Sequence, residues 1–158
     1  MFFDDSLAAF ANMRRWLKPE GRLVFSCWAA PERNPWIGLV GGVISRHGQM
    51  PQREPDAPGP FRFADPEATR AMLEQAGFDD ISLEIWEGEQ PFAGIGATPE
   101  QAAEFVLAAM SVAEPLRQAG VDLARVQADL AEAMRPYVRA GAVRLGGAAW
   151  FVTARNPG

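Results

Sequence analysis

The chain has one cysteine, one histidine and no run of four basic residues. Each shortage removes a class of function. The lone Cys27 excludes a disulfide within the chain, and one thiol with one histidine is too few for a zinc site, so no metal is expected. Neither a Ser-His-Asp nor a Cys-His constellation assembles from His47 and Cys27, and Cys27 reads as a core strand residue with no basic neighbour to activate it. A formal net charge of −5 opposes a general nucleic-acid surface, which needs a basic stripe to meet phosphates. No apolar run approaches the roughly 20 residues of a membrane span, and no charged-then-apolar leader is present. Neither a membrane partner nor secretion is expected, and a cytoplasmic location is the default.

A strand ahead of the first helix is also lacking. Helix, tight turn and apolar strand follow within the first 28 residues, which is the second half of an α/β unit. A buried parallel strand needs neighbours, and nothing before residue 4 supplies one. The expectation is the C-terminal part of a larger α/β fold, or a domain that completes its sheet in a partner.

What is present is globular: 48% hydrophobic residues with ten Phe and five Trp, enough to bury a core in a single domain over 1–158. A first helix is predicted over about Asp5–Leu17, with Leu7, Phe10, Met13 and Leu17 at helical spacing; Pro19 and Gly21 turn the chain into a strand at Arg22–Trp28. Asn34 as cap and Pro35 at the first position start a second helix closed by Gly48, in which Gly41-Gly42 suggests close packing or a bend. Gln49–Pro60, with its four prolines, reads as a loop.

Asp65-Pro66-Glu67 starts a helix ended by Gly77, with Phe78 placed to meet Leu73 in a Schellman closure. Ile81, Leu83 and Ile85 then alternate with polar residues as a strand, leaving Glu84, Glu87 and Glu89 on a solvated face. Thr98-Pro99-Glu100-Gln101 is a capping box opening a helical stretch to about Ala119, broken or kinked at Pro115. Another helix covers Val121–Tyr137, and a strand covers Ala142–Ala154 with Gly146-Gly147 as bulge or close approach. The predicted order is α-β-α-α-β-α-α-β. The helical insertion at 98–139 is too long for a hairpin loop and is the natural place for a substrate cap.

Phe2-Phe3-Asp4-Asp5, Ala8-Ala9-Phe10, Arg14-Arg15-Trp16-Leu17-Lys18-Pro19-Glu20-Gly21-Arg22-Leu23-Val24-Phe25 and Cys27-Trp28 together resemble class I S-adenosylmethionine-dependent methyltransferases of the small-molecule type, similar to the ubiquinone/menaquinone-biosynthesis branch. In that family a helix and a Leu-(Arg/Lys)-Pro-Gly-Gly-(Arg/Lys)-Leu turn lead into the fifth strand of a seven-stranded sheet; Glu20 stands here for the first glycine. Phe61–Phe78, with its Asp65-Pro66 and Ala76-Gly77-Phe78, is similar to the segment before the sixth strand, and Val143–Arg155 would be the seventh.

The resemblance implies an α/β fold: about three strands from the C-terminal half of a Rossmann-like methyltransferase sheet, with a helical cap. It implies methyl transfer to a small, fairly apolar acceptor. The family's glycine-rich turn after a first strand is not in this sequence: Gly38–Gly42 lies in a helical pattern, and Gly94-Ile95-Gly96 has no strand-to-helix setting. The chain alone is therefore expected to be inactive and not to bind S-adenosylmethionine tightly.

Phe2, Phe3 and Asp4 would, by resemblance, border the methionine end of the cofactor; the bland alternative is a frayed terminus. Trp28 and Trp36 flank the loop after the first strand and His47 stands at the C-terminal end of the second helix, on the face of Trp36, Val40 and Ile44, which makes the three candidate acceptor-binding residues. Ordinary packing competes for the tryptophans, and a cation at a helix C-terminus competes for His47. No catalytic residue is assigned. The rival to an enzyme is a non-enzymatic homodimer, paired through the exposed edge of Arg22–Trp28 and binding an apolar small molecule.

Overall fold

In a computed structural model of the chain, residues 1–48, 58–110 and 112–158 are described. Most of the loop expected over Gln49–Pro60 lies outside the described residues; its end, from residue 58, is turn. The protein is mixed α/β. Helices α1 (Ser6–Trp16), α2 (Pro35–Ile44), α3 (Pro66–Gln75), α4 (Pro99–Ala109), α5 (Ala113–Gln118) and α6 (Leu123–Met134) accompany strands β1 (Arg22–Trp28), β2 (Asp79–Pro91), β3 (Val138–Arg139) and β4 (Ala142–Arg155). The strands form one open sheet, ordered β1-β4-β2, with β3 pairing β4.

The last strand lies in the middle of that order. β4 pairs antiparallel with β1 from Arg22↔Arg155 to Trp28↔Ala149. This corrects the expectation of a buried parallel strand: β1 pairs antiparallel and ends the strand order, and Arg22, Val24 and Ser26 are exposed. A fourth strand also appears. Ala140 and Gly141, at φ 48° and 74°, make a two-residue hairpin turn between β3 and β4, with the left-handed pair such tight turns require.

The fold divides into two compact units, each with its own packing. The first comprises Met1–Arg33, the described part of Arg53–Glu87, and Ala148–Gly158. Here α1 and α3 bring Phe10, Leu73, Ala76 and Phe78 against Leu23, Phe25 and Cys27 of β1 and Val152 and Ala154 of β4. Phe10, Phe25 and Phe63 form an aromatic cluster with ring centroids 5.3–6.3 Å apart. Asp65 caps α3 by accepting from the Glu67 and Ala68 amides, and the helix closes as expected: Phe78 N–H donates to Leu73 at 3.0 Å and Gly77 N–H to Glu74 at 2.9 Å.

The second unit comprises the described residues of Asn34–Gln52 and Gly88–Gly147. Val40, Val43, Ile44, Val106, Leu116, Val126, Leu130 and Met134 supply buried apolar surface from its four helices. The capping box at Thr98 and Gln101 forms in both directions. The stretch predicted to Ala119 divides earlier than Pro115, because α4 ends at Ala109 and Pro115 stands in the first turn of α5. Proline lacks an amide hydrogen and clashes with the preceding turn, so it is tolerated at a helix start and not inside one. Asn34 occupies the cap position of α2 without a side-chain capping bond; its Oδ1 accepts from Trp36 Nε1 at 3.1 Å. α2 stops at Ile44, short of Gly48, and an added Cβ at Gly41 or Gly42 would meet open space, which rules out close packing there. An added Cβ at Gly146 would make only ordinary van der Waals contact with the Pro35 ring, Cγ at 3.7 Å, so no close backbone approach is seen there.

Candidate functional site

A cavity of about 450 Å³ opens in the first unit where two helices begin. Asp4, Asp5 and Ser6 lead into α1, Ala68 and Thr69 belong to the first turn of α3, and Arg62 and Phe63 come from the preceding turn. Local chemistry holds these pieces. Asp5 accepts from the Ala8 amide at 2.8 Å, and Thr69 Oγ1 donates to the Phe63 carbonyl at 3.2 Å. The Arg62 guanidinium donates to the main-chain carbonyls of Phe3 and Asp4. It therefore fixes the lead-in to α1 and leaves its positive charge uncompensated by those neutral oxygens. The Ser6 hydroxyl is buried in the same cavity without a hydrogen-bond partner among the described residues. An unpaired buried hydroxyl costs about 1–3 kcal/mol, which a polar ligand would relieve.

The donor set can hold a zwitterion. A guanidinium and a hydroxyl suit a carboxylate, and Asp4 suits an ammonium. Of the three residues that the sequence suggested for the cofactor, Asp4 lines this cavity, while Phe2 and Phe3 are exposed and are not among its lining residues. Sequence reasoning missed Ser6, Arg62 and Thr69. Arg62 lay within the Phe61–Phe78 segment that carried the resemblance, but nothing local connects it to residues nearly sixty positions earlier.

The acceptor candidates divide between the units. Trp28 is half-buried in the first. Trp36 is 4% exposed in the second and packs on Phe92 at 5.6 Å between ring centroids, a core position. His47 lies beside a cleft of about 780 Å³ in that same unit, its Nε2 2.8 Å from Asp129 Oδ2 and its side chain 11% exposed. Trp36 is not among the residues lining that cleft.

Cys27 is buried beside the Phe63 carbonyl, and burial pushes its thiol up to about 11. At neutral pH it is a protonated core residue. Among the described residues no group of three or more His, Cys, Asp or Glu could hold a metal ion, and no helix is long and apolar enough to cross a membrane. No family model matches the chain, and no curated protein matches it.

Proposed function

We propose that this chain is the acceptor-side part of an S-adenosylmethionine-dependent methyltransferase of the small-molecule type. One observation carries the reading. The three segments that resemble the family's fifth, sixth and seventh strands are neighbours in a single sheet, with the chain's last strand between the other two. The turn Lys18–Gly21 joins α1 to β1 as the resemblance requires, and Glu20 adopts φ 63° where the family has glycine.

In this reading the amino-acid end of the cofactor lies in the cavity of the first unit. Arg62 and Ser6 hold its carboxylate, and Asp4 holds its ammonium. The cofactor supplies an electrophilic methyl group for in-line displacement by a polarised oxygen, nitrogen or carbon of the acceptor. Such a step depends on positioning more than on a dedicated acid or base. The helices of 98–139 shape the acceptor side. The family's glycine-rich turn after a first strand, which lets the backbone approach the cofactor, is not in this sequence, so the 158-residue chain binds the cofactor weakly and does not turn over by itself.

Calorimetric titration of S-adenosylhomocysteine tests this, run on the chain and on a form extended upstream by whatever its gene encodes. Tight binding by the longer form, lost in Asp4→Asn and Arg62→Gln, is the expected result. Silence from both overturns the reading, and tight binding by the short chain overturns the assignment of the missing contacts.

A second reading, a homodimer that binds an apolar small molecule, has its own support. Leu23, Phe25 and Cys27 face the core, so Val24 and Ser26 point the other way, together with Phe151 opposite Ser26. Val24 is 64% exposed and Phe151 50%. Pairing along β1 in a second copy would extend the sheet at its edge and leave that apolar face open to an apolar small molecule. A monomer by light scattering at every concentration removes this reading.

A further inference from the structure

We infer that the cavity where α1 begins is in its own right a binding site for a free α-amino acid with an apolar side chain. The inference rests on the poles that the cofactor reading gives this cavity, Arg62 and Ser6 for a carboxylate and Asp4 for an ammonium. It needs neither a nucleoside nor a longer chain. Charge selects the class of ligand. Asp4 and Asp5 line the cavity with a single guanidinium, that of Arg62, so a simple anion would meet net repulsion. A zwitterion carries both signs and no net charge.

The pole for the carboxylate lies at the first turn of α1. Asp5 caps only part of that turn: its side chain accepts from the Ala8 amide at 2.8 Å and its carbonyl from the Ala9 amide at 3.1 Å. The Ser6 and Leu7 amides have no acceptor among the described residues, and both residues line the cavity. Ser6 is 6% exposed, and its hydroxyl has no partner there either. Buried hydroxyls in folded proteins almost always find a partner, so this one points to a ligand. α3 offers no such donors, because Asp65 takes the Glu67, Ala68 and Thr69 amides. The opposite pole is Asp4, whose carboxylate has no partner among the described residues. Leu7, Phe63 and Met72 supply apolar surface for a side chain, and a volume of about 450 Å³ lies in the range of small-molecule sites.

The amide signals of Ser6 and Leu7 in the NMR spectrum of isotope-labelled protein report on this cavity. They are followed in the 158-residue chain as L-leucine is added at fixed pH and ionic strength. A saturable shift is expected with L-leucine, and none with isocaproate, which lacks the ammonium, or isopentylamine, which lacks the carboxylate. Asp4→Asn and Arg62→Gln should each weaken binding about tenfold, while Arg125→Gln, in the second unit, should leave it unchanged. Ser6→Ala separates binding from folding. It should weaken binding yet leave the melting temperature of the free protein no lower, since no hydrogen bond is lost. Saturation by isocaproate or isopentylamine, a shift that never saturates, or binding unchanged in Ser6→Ala and Arg62→Gln overturns the inference. Set beside the titration of S-adenosylhomocysteine, the two readings part. Leucine binding with silence from the extended form removes the cofactor reading alone, and the reverse removes this inference alone.

Discussion

Arg14 and Asn156 hold one another across 142 positions of sequence. Arg14 Nη1 donates to Asn156 Oδ1 at 3.2 Å, and Asn156 Nδ2 donates back to the Arg14 carbonyl at 3.4 Å. The same amide reaches the carbonyls of Leu17 at 3.0 Å and Lys18 at 3.2 Å. The Arg14 and Lys18 carbonyls also accept from the Leu17 and Gly21 amides, so what this residue beyond β4 adds at the end of α1 is chiefly a partner for the Leu17 carbonyl.

Replacing Asn156 by alanine should destabilise the protein by about 1–3 kcal/mol, chiefly from the Leu17 carbonyl left unpaired at a largely buried site. Asn156→Asp should be at least as damaging at neutral pH. It loses both amide donors and sets a negative charge at the negative end of α1. Chemical denaturation of the three proteins checks both expectations.

Gly77→Ala should cost about 1–3 kcal/mol. Its φ is +90°, and an added Cβ would lie 2.9 Å from Arg14 Nε, the side chain that grips Asn156. A double-mutant cycle with Asn156→Ala should show coupling between two sites that are remote in sequence.

Gly41→Ala and Gly42→Ala should act in the opposite direction, each stabilising by about 0.5–1 kcal/mol. Both positions are helical and exposed, and neither has an atom within 4 Å of an added Cβ. A melting temperature that falls in either variant would show that the openness of this helix face serves something else.

Cys27 should resist alkylation. With its thiol raised from 9.0 to about 11 by burial, the thiolate at pH 8 is about a hundredfold scarcer than in the unfolded chain. The folded state keeps a proton that the unfolded state releases, so this contribution to stability is complete below pH 9. It declines as pH rises through about 11. Iodoacetamide kinetics with and without denaturant measure the first effect, and denaturation at pH 8 and pH 10 measures the sign of the second.

The features legible in the sequence were those written within a few neighbouring residues. Asp65 to Ala68 caps α3, Gly77-Phe78 closes it, and Thr98 to Gln101 opens α4; each is a hydrogen bond spanning at most five positions. Even there, local signals misled where two competed: Pro115 marked a break, but its tolerance at a helix start let α5 begin before it. The hairpin at Ala140-Gly141 was missed because its first turn residue is not the usual asparagine or aspartate, so the left-handed pair was not announced.

Composition and the local sequence pattern by themselves determined that the chain would be α/β, where α1 to α4 would begin, and that Cys27 would be buried. Tertiary structure alone decided that β4 would separate β1 from β2, that Arg62 would join Asp4 and Ser6 at one cavity, and that His47 would meet Asp129 82 positions away. The reason is range. A cap or a turn is selected by the energies of adjacent residues, whereas strand order and cavity lining are chosen by which faces the whole chain can bury together, and no local pattern encodes that choice.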